Sequence, residues 1–469
     1  MISLRAGDQD VIAALSTAPG IGAIAVLRVS GPQAWALIRK LAPFLPQQIE
    51  SHRAYFGRLI DPQNPSEVLD EVLLTTFAQG RSFTGEESVE ISTHGGIDLP
   101  ERVLQSILGL GARLAQPGEF TYRAFVNGRM DLVQAEAVLE AIESRSREAS
   151  RVALRHLKGE LSRHYSEIED TLLWMGAHIE AAIDFSSEGI ELKPSIELRT
   201  RGEQLRDQLQ RLIDSYQQGR VVAQGLRVAL VGAPNAGKSS LLNALVGEDR
   251  AIVTPEAGTT HDLIEVESRF RGLDLRWMDT AGLRESESVA EQLGIEKSLR
   301  ARAEADFVVV VLDLSSPDWR NRLGDFVRSG HSREVYVFNK VDLDQSGEWT
   351  AASEAEAEAL GISSRSFWIS AASKQGLEQL LVGIEQAYRR SLRGGSGDDV
   401  LVTQARHVES LERIQEALRK ALLLIEKEAS PELVAFELKA GVQEIHRLLG
   451  KEFHEQVIDR VFKEFCLGK

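Results

Sequence analysis

The sequence predicts a multi-domain α/β plus α chain, in which an α/β domain with a mainly parallel sheet is inserted into an α-helical domain after an α+β amino-terminal domain. Three observations support this prediction. β-rich runs closed by Gly-containing turns precede residue 129, helical periodicity occurs on both sides of the insertion, and strands alternate with helices from Leu226. We place the domains at residues 1–128, 129–223, 224–391 and 392–469.

The composition excludes several classes of protein. Apolar residues make up 43% and charged residues 26% of the chain, which excludes a disordered or collagen-like protein. The longest apolar run, Phe307–Leu312, is far shorter than the roughly 20 residues of a membrane-spanning helix, and the amino end lacks a signal or transit pattern. The single cysteine, Cys466, allows no internal disulfide and no multi-cysteine metal site. These features predict a cytoplasmic protein with no membrane partner.

The amino-terminal part is predicted to be mixed α/β. Its strand-like runs are IAVLRVSG (Ile24–Gly31), EVLLTTF from Glu71 and SVEISTHGG (Ser88–Gly96). Within the last run we expect His94 to pack in a turn rather than to transfer protons.

After Met130 apolar residues recur mostly every three or four positions, which predicts amphipathic helices to about Gln218. A second such region follows RGGSGDD (Arg393–Asp399), which has the composition of a flexible linker. The two stripes consist of Leu157, Leu161, Ile168, Leu172, Met175, Ile179 and Ile183, and of Val408, Leu411, Ile414, Leu418, Leu422 and Ile425. The simplest interpretation is one helical domain that the α/β domain splits in two.

Residues 232–239, GAPNAGKS, match the phosphate-loop pattern G-x-x-x-x-G-K-[ST] between an apolar strand and a helical segment. The glycines let backbone N–H groups turn toward phosphate oxygens, and the helix start adds a favourable dipole. Lys238 is expected to neutralise the β- and γ-phosphates, and the Ser239 hydroxyl to ligate Mg²⁺. The neighbouring loop residues expected to contact the nucleotide are Asn235, Ala236, Gly237 and Ser240.

Two later motifs predict guanine as the base. Asn339, Lys340 and Asp342 belong to NKVD at the end of an apolar strand, where the carboxylate of Asp342 can accept the ring N–H and the exocyclic amine of guanine. Adenine would place a lone pair against that charge. The SAA segment of Ser370, Ala371 and Ala372 closes the next strand, where a backbone N–H can meet the guanine O6.

The segment DTAG follows the strand LRWM and completes the predicted phosphate site. Asp279 is expected to bind Mg²⁺ through water, Gly282 to sense the γ-phosphate, and Thr280 and Ala281 to contact the nucleotide. Leu283 stands where many GTPases carry a glutamine that positions the attacking water. Hydrolysis is therefore either slow and switched by a partner, or supported by another residue. The nearby acids are Glu285, Glu287, Glu291 and Glu296.

With these motifs in place, the chain resembles the MnmE (also TrmE) family of tRNA-modifying GTPases over essentially its whole length. The matching strings are GIGAIAVLRVSG, SFTGEESVEISTHGG, PGEFTYRAFVNGRMDLVQAEAV, PNAGKSSLLNAL, AIVTPEAGTTHD, DTAGLRE, EQLGIEKS and the terminal FCLGK.

The resemblance implies a tetrahydrofolate-binding amino-terminal domain and a homodimer whose GTPase domains pair around K⁺. It also implies a heterotetramer with an MnmG-type flavoprotein, which would supply FAD and NADH. The complex would install a carboxymethylaminomethyl or aminomethyl group on carbon 5 of the wobble uridine of tRNA. The one-carbon unit would come from a folate such as 5,10-methylene-tetrahydrofolate, and 5-formyl-tetrahydrofolate would occupy the same site.

The resemblance also implies roles for individual residues. The K⁺ site would consist of Asn235, Thr254, Glu256 and Thr259, the folate site of Arg28, Glu90, Arg129 and Lys469. Thr260 would ligate Mg²⁺, and Glu291 would orient the attacking water. The chain departs from the family pattern at His261 in place of Arg, at Glu256 in place of an apolar residue and at Arg129 in place of Lys. Cys466 of the terminal string is expected to be a structural or pocket-lining thiol.

The alternative function is a regulatory GTPase that switches ribosome or other ribonucleoprotein assembly without folate chemistry. Such proteins usually append an RNA-binding module with a basic face, whereas the net charge here is −16. RNA contact is therefore expected to be local or supplied by a partner.

Overall fold

The computed structural model describes residues 10–186, 196–246, 264–279, 305–329, 333–391, 400–452, 461–462, 465 and 468. The chain divides into two compact units, one drawn from residues 1–143, 153–211 and 406–469 and the other from residues 144–152 and 212–405. The boundaries placed from the sequence stay a prediction. In the described part of the chain, no helix has the length and apolar character to cross a membrane.

The first unit contains a mainly antiparallel sheet. Its strands are β1 (Ile12–Leu15), β2 (Ile24–Ser30), β3 (Arg53–Ile60), β4 (Val68–Phe77), β5 (Ser88–His94) and β6 (Arg113–Leu114). They lie in the order β3-β4-β5-β2-β1-β6, and the β1–β6 pair is parallel. The accompanying helices are α1 (Ala34–Arg39), α2 (Asp98–Gly109) and α3 (Glu119–Val126).

The two faces of this sheet differ in burial. On β5, Val89, Ile91 and Thr93 are buried, and the alternating residues Glu90, Ser92 and His94 are more exposed. The buried face packs against α1 and α2 through Ile38, Val103 and Ile107. The opposite face is therefore free to carry polar side chains.

The first unit also contains the predicted helices. They are α4 (Leu132–Glu143), α5 (Arg147–Leu157), α6 (Glu160–Ser186), α7 (Ile196–Gln224), α12 (Ala405–Glu426) and α13 (Pro431–Leu449), of which α5 and α7 extend into the second unit. Leu161, Leu172 and Leu418 of the two predicted stripes are fully buried, which confirms the helical periodicity. Helix α13 begins with proline at its first position and ends at Gly450, whose φ is 75°.

A buried polar network joins three of these helices. Glu136 of α4 accepts both guanidinium hydrogen bonds of Arg406, each at 2.8 Å, and lies 2.7 Å from Nε2 of His407. The hydroxyl of Tyr165 lies 3.2 Å from Nδ1 of His407. Burial opposes the charge on Glu136, but Arg406 and His407 outweigh it and lower its pKa from 4.5 to about 2. Burial lowers the pKa of His407 and raises that of Tyr165, so both are neutral partners of one ion pair.

The second unit is a three-layer α/β structure. Its strands are β7 (Leu226–Gly232), β8 (Ile264–Phe270), β9 (Leu273–Asp279), β10 (Phe307–Asp313), β11 (Glu334–Asn339) and β12 (Ser366–Ile369). They lie in the order β12-β11-β10-β7-β9-β8, and the pairs are parallel except for β8–β9. Helices α8 (Lys238–Val246) and α11 (Leu377–Ser391) pack in one core, and α9 (Trp319–Ser329) and α10 (Glu348–Ala359) in another. This arrangement confirms the predicted mainly parallel α/β fold.

Candidate functional site

The phosphate-loop sequence connects β7 to α8, as its context predicts. Asn235 and Gly237 have φ values of 62° and 94°, so both residues are in the left-handed region. A Cβ added at Gly237 would lie 2.2 Å from Nδ2 of Asn339, so this glycine leaves room for that side chain. Lys238 begins α8, and its Nζ donates to the carbonyls of Gly232 and Ala233 at 3.1 and 2.8 Å. The ammonium therefore lies over the loop.

The NKVD and SAA motifs meet the phosphate loop through Asn339. This residue is only 2% exposed. Its Nδ2 donates to the carbonyl of Ala236 at 2.9 Å, and its Oδ1 accepts the N–H of Ala371 at 3.1 Å. The parallel strands β7, β11 and β12 end at one edge of the sheet, which is where α/β folds bind ligands. One amide thus holds together three segments, with partners 103 and 32 residues from Asn339 in the sequence.

The NKVD segment, which is expected to recognise the base, is held by the carboxylate of Asp313. The sequence motifs did not indicate this residue. Asp313 ends β10, and its Oδ2 accepts Nζ of Lys340 at 2.6 Å. Burial would raise the pKa of Asp313, but hydrogen bonds from Lys340 and Ser315 hold it below its ordinary value. Asp342 follows in a short helical turn and is exposed, so its carboxylate is available to a ligand. Asp313 could have been noticed in the sequence, because it is an acidic residue at the end of an apolar strand.

Some of the remaining predicted residues lie in the described part of the chain, and others lie outside it. Ser239 and Ser240 lie in the first turn of α8, and Ser370 and Ala372 lie beside Ala371 after β12. The backbone of Asp279 ends β9, but its side chain is outside the described atoms. The residues outside the description are Thr254, Glu256, Thr259, Thr260, His261, Thr280, Ala281, Gly282, Glu291, Cys466 and Lys469.

Two predicted folate residues form a pair in the first unit. Arg28 on β2 and Glu90 on β5 are register partners, and Nη2 of Arg28 donates to Oε1 of Glu90 at 2.8 Å. The guanidinium also lies 5.1 and 5.6 Å from the ring centroids of Phe83 and Phe120. Arg129 donates to the carbonyl of Gly80 at 3.1 Å instead of joining this pair.

A buried ionic network that sequence reasoning missed lies in the same unit. Arg123 bonds Asp10 at 2.6 Å, Glu119 at 3.0 Å and Glu86 at 3.2 Å. Burial opposes the charges of both Arg123 and Glu119. Hydrogen bonds from Arg113 and from the N–H of Gln116, together with Arg123, nevertheless lower the pKa of Glu119. The nearby carboxylates of Glu86, Asp10 and Glu119 raise the pKa of Arg123. The network joins the residues before β1 to α3.

Gly468 of the terminal string packs against the end of β1. Gly468 has a φ of 89°, and an added Cβ would lie 2.2 Å from the carbonyl oxygen of Leu15. Its own carbonyl accepts the hydroxyl of Ser16 at 3.1 Å. Glycine is required at this position because both the conformation and the close approach exclude a side chain.

The expectation that His94 packs in a turn is wrong. This residue ends β5, and its side chain is 68% exposed. A buried carboxylate, that of Asp70, lies 2.7 Å from its Nδ1. The ring projects outward because Glu90, Ser92 and His94 alternate with the buried residues Val89, Ile91 and Thr93.

Comparisons with known proteins agree with these motifs. A family model described as the MnmE helical domain matches residues 132–466, and one described as the GTP-binding protein TrmE N-terminus matches residues 11–129. The chain is 40% identical to the tRNA modification GTPase MnmE of Bdellovibrio bacteriovorus, with 98% of each chain covered. It is 39% identical to the protein of that name from Chlorobium chlorochromatii, with 100% of this chain and 99% of the other covered.

A solved structure similar to part of the chain is the G domain of the T. maritima FeoB iron transporter. It is 27% identical, covers 35% of this chain and 98% of its own, and has a TM-score of 0.27. The family assignment rests instead on the two family models and on the full-length relatives. The chain belongs to the MnmE (TrmE) family of tRNA modification GTPases.

Proposed function

We propose that this chain hydrolyses GTP with Mg²⁺ and K⁺, and that this cycle drives folate-dependent modification of carbon 5 of the wobble uridine in tRNA. The single observation that best supports the nucleotide site is the side chain of Asn339, which bonds both Ala236 and Ala371. It brings the phosphate loop and the two base-recognition segments to one sheet edge.

Each nucleotide residue has a role in this proposal. Lys238 neutralises the phosphates, Ser239 and Thr260 would hold Mg²⁺, and Asp279 would contact it through water. Asp342 selects guanine, and Glu291 aligns the attacking water. The left-handed backbone at Asn235 and Gly237 supports this assignment, because such turns direct consecutive N–H groups toward an anion.

The K⁺ ion would be held by Asn235, Thr254, Glu256 and Thr259. It would supply positive charge between the β- and γ-phosphates, since the sequence shows no obvious arginine finger in the first switch loop. Pairing of two GTPase domains in a homodimer would complete the site.

The folate site would use Arg28, Glu90, Arg129 and Lys469. A folate offers an anionic glutamyl tail and a pterin edge rich in donors, which suit cations beside one carboxylate. The Arg28–Glu90 pair and the packing of Gly468 against Leu15 support this proposal. FAD and NADH would come from an MnmG-type partner, since the sequence has no G-x-G-x-x-G fingerprint.

The test is mass spectrometry of wobble nucleosides from a cytoplasmic extract of a deletion strain, with and without this chain. We expect the chain to restore the modified uridines and to bind 5-formyl-tetrahydrofolate saturably at equilibrium. A chain that hydrolyses GTP but neither restores these nucleosides nor binds the folate would instead be a regulatory switch.

A further inference from the structure

An exposed histidine at the end of β5 is held by a buried acid. The side chain of Asp70 is 6% exposed, and that of His94 is 68% exposed. Asp70 accepts the backbone N–H groups of Glu71 and His94, each at 2.8 Å, and its Oδ1 lies 2.7 Å from the ring Nδ1 of His94. The carboxylate is therefore fixed by its own strand and by the strand that carries the histidine.

This geometry determines which ring nitrogen carries the proton. An ionised carboxylate only accepts hydrogen bonds, so Nδ1 of His94 must donate to Asp70. In the neutral ring, Nε2 then has a free electron pair. Since most of the ring is exposed, that pair can accept a proton from a bound molecule.

Three exposed isoleucines lie on the segments that adjoin His94. Ile24 is its register partner on β2 and is 64% exposed, and Ile21 and Ile97 on the flanking loops are 79% and 77% exposed. The two loops touch: the N–H of Gly22 donates to the carbonyl of Gly95 at 2.8 Å. The planar ring of a bound molecule can lie against these isoleucines with one edge toward Nε2 of His94.

The same sheet face carries two of the proposed folate residues, Arg28 and Glu90. Glu90 and His94 alternate with the buried residues of β5, so their side chains are on one face. Four residues of strand separate them by about 14 Å, at about 3.4 Å per residue. A folate is long enough to extend along this distance from the Arg28–Glu90 pair.

We propose that His94, oriented by Asp70, is the general base that removes the carbon-5 proton of the uracil ring. This inference rests on the proposed function. The one-carbon unit, carried on a folate nitrogen as a methylene iminium, would accept the electron pair of the C5–C6 double bond at its carbon. The pair of its carbon–nitrogen double bond would move onto that nitrogen. The ring regains that pair when the C5–H bond breaks and the proton passes to Nε2.

The decisive variant is His94→Asn in the full chain. The Nδ2 of asparagine can replace Nδ1 as the donor to Asp70, so the buried carboxylate keeps its partner while Nε2 is lost. We expect the rate of uridine modification to fall roughly 100-fold or more, the usual contribution of a general base. GTP hydrolysis and 5-formyl-tetrahydrofolate affinity should stay within about twofold of the wild type.

A matched control is His164→Asn, because His164 is also an exposed histidine beside a carboxylate, 3.5 Å from Glu167. The His164→Asn variant should modify uridine at the wild-type rate.

Nitrogen-15 NMR of histidine-labelled protein should show the neutral ring of His94 protonated at Nδ1. Asp70→Asn should shift the proton to Nε2 and abolish modification.

The inference would be overturned if His94→Asn modified uridine at the wild-type rate, or if the neutral ring of His94 in the unaltered protein were protonated at Nε2. The His94–Asp70 pair would then have only a structural role. If the unaltered chain, assayed together with an MnmG-type flavoprotein, fails to modify tRNA at all, the proposed function falls and this inference falls with it.

Discussion

The side-chain amide of Asn339 donates to the carbonyl oxygen of Ala236 in the phosphate loop at 2.9 Å. The same amide accepts the N–H of Ala371 at 3.1 Å. One buried side chain therefore joins the phosphate loop to the segment after β12, and we expect Asn339 to contribute to GTP binding.

We predict that Asn339→Ala weakens GTP binding and lowers the free energy of unfolding by about 2 kcal/mol, because two buried backbone groups lose their partner. Fluorescent-nucleotide titration and denaturant unfolding measure the two effects. Asn321→Ala is the control, since this exposed residue of α9 bonds the nearby side chain of Asp318. Equal losses in both variants would contradict the role of Asn339.

Replacing Asp342 with Asn should exchange guanine for xanthine specificity. The amide donates where the carboxylate accepted, so it matches the xanthine carbonyl and opposes the guanine amine. We expect GTP affinity to fall roughly 100-fold or more and XTP affinity to rise. Competition binding tests this, with Asp325→Asn on α9 as an exposed control. Unchanged selectivity would refute the base assignment.

Exchange of K⁺ for Na⁺ should slow GTP hydrolysis roughly tenfold or more, because a correctly placed charge at the phosphates contributes on that scale. Phosphate release in matched chloride buffers measures the rate. Lys238→Ala should be slow in both salts. Equal rates of the unaltered protein in the two buffers would remove K⁺ from the mechanism.

Glu291→Ala should reduce GTP turnover while nucleotide affinity stays close to that of the wild type, as expected for a residue that only aligns water. Single-turnover hydrolysis and equilibrium titration separate the two quantities. Glu296→Ala, which alters a nearby acid, should leave turnover unchanged. A parallel loss of affinity would indicate a structural role for Glu291.

Glu136→Gln should destabilise the first unit by about 3–5 kcal/mol, because Arg406 would remain buried without its counter-charge. Thermal unfolding of the full chain measures this loss, and Glu416→Gln, in the exposed pair with Arg419, serves as the control.

The buried Glu136–Arg406 pair also makes the stability of the protein depend on pH. The folded-state pKa of Glu136, about 2, lies below its ordinary 4.5. Its contribution is therefore present above pH 4.5 and lost as the pH falls from 4.5 toward 2. The lowered pKa of His407 likewise makes the protein less stable as the pH falls below 6.5. A wild-type melting temperature that rises on acidification through this window would contradict the assignment.

Local patterns allowed much of the fold to be predicted. The β/α alternation after Leu226 and the helical stripes depend on the period of neighbouring residues, which chain geometry sets within a few turns. The phosphate loop likewise depends on closely spaced glycines before a helix, so its position was evident from the sequence.

Partners distant in the chain could not be predicted in this way. Lys340 meets Asp313 across 27 positions, and Glu136 meets Arg406 across 270. Strand order and helix packing decide which charges meet.

His94 shows the difference most clearly. The sequence alone determined that a histidine stands at the end of a strand-like run, before two glycines. Only the tertiary structure decided that its ring faces outward and bonds Asp70. The pleat of β5 sets the direction of the side chain, and the pairing of β4 with β5 brings in a carboxylate from 24 residues away.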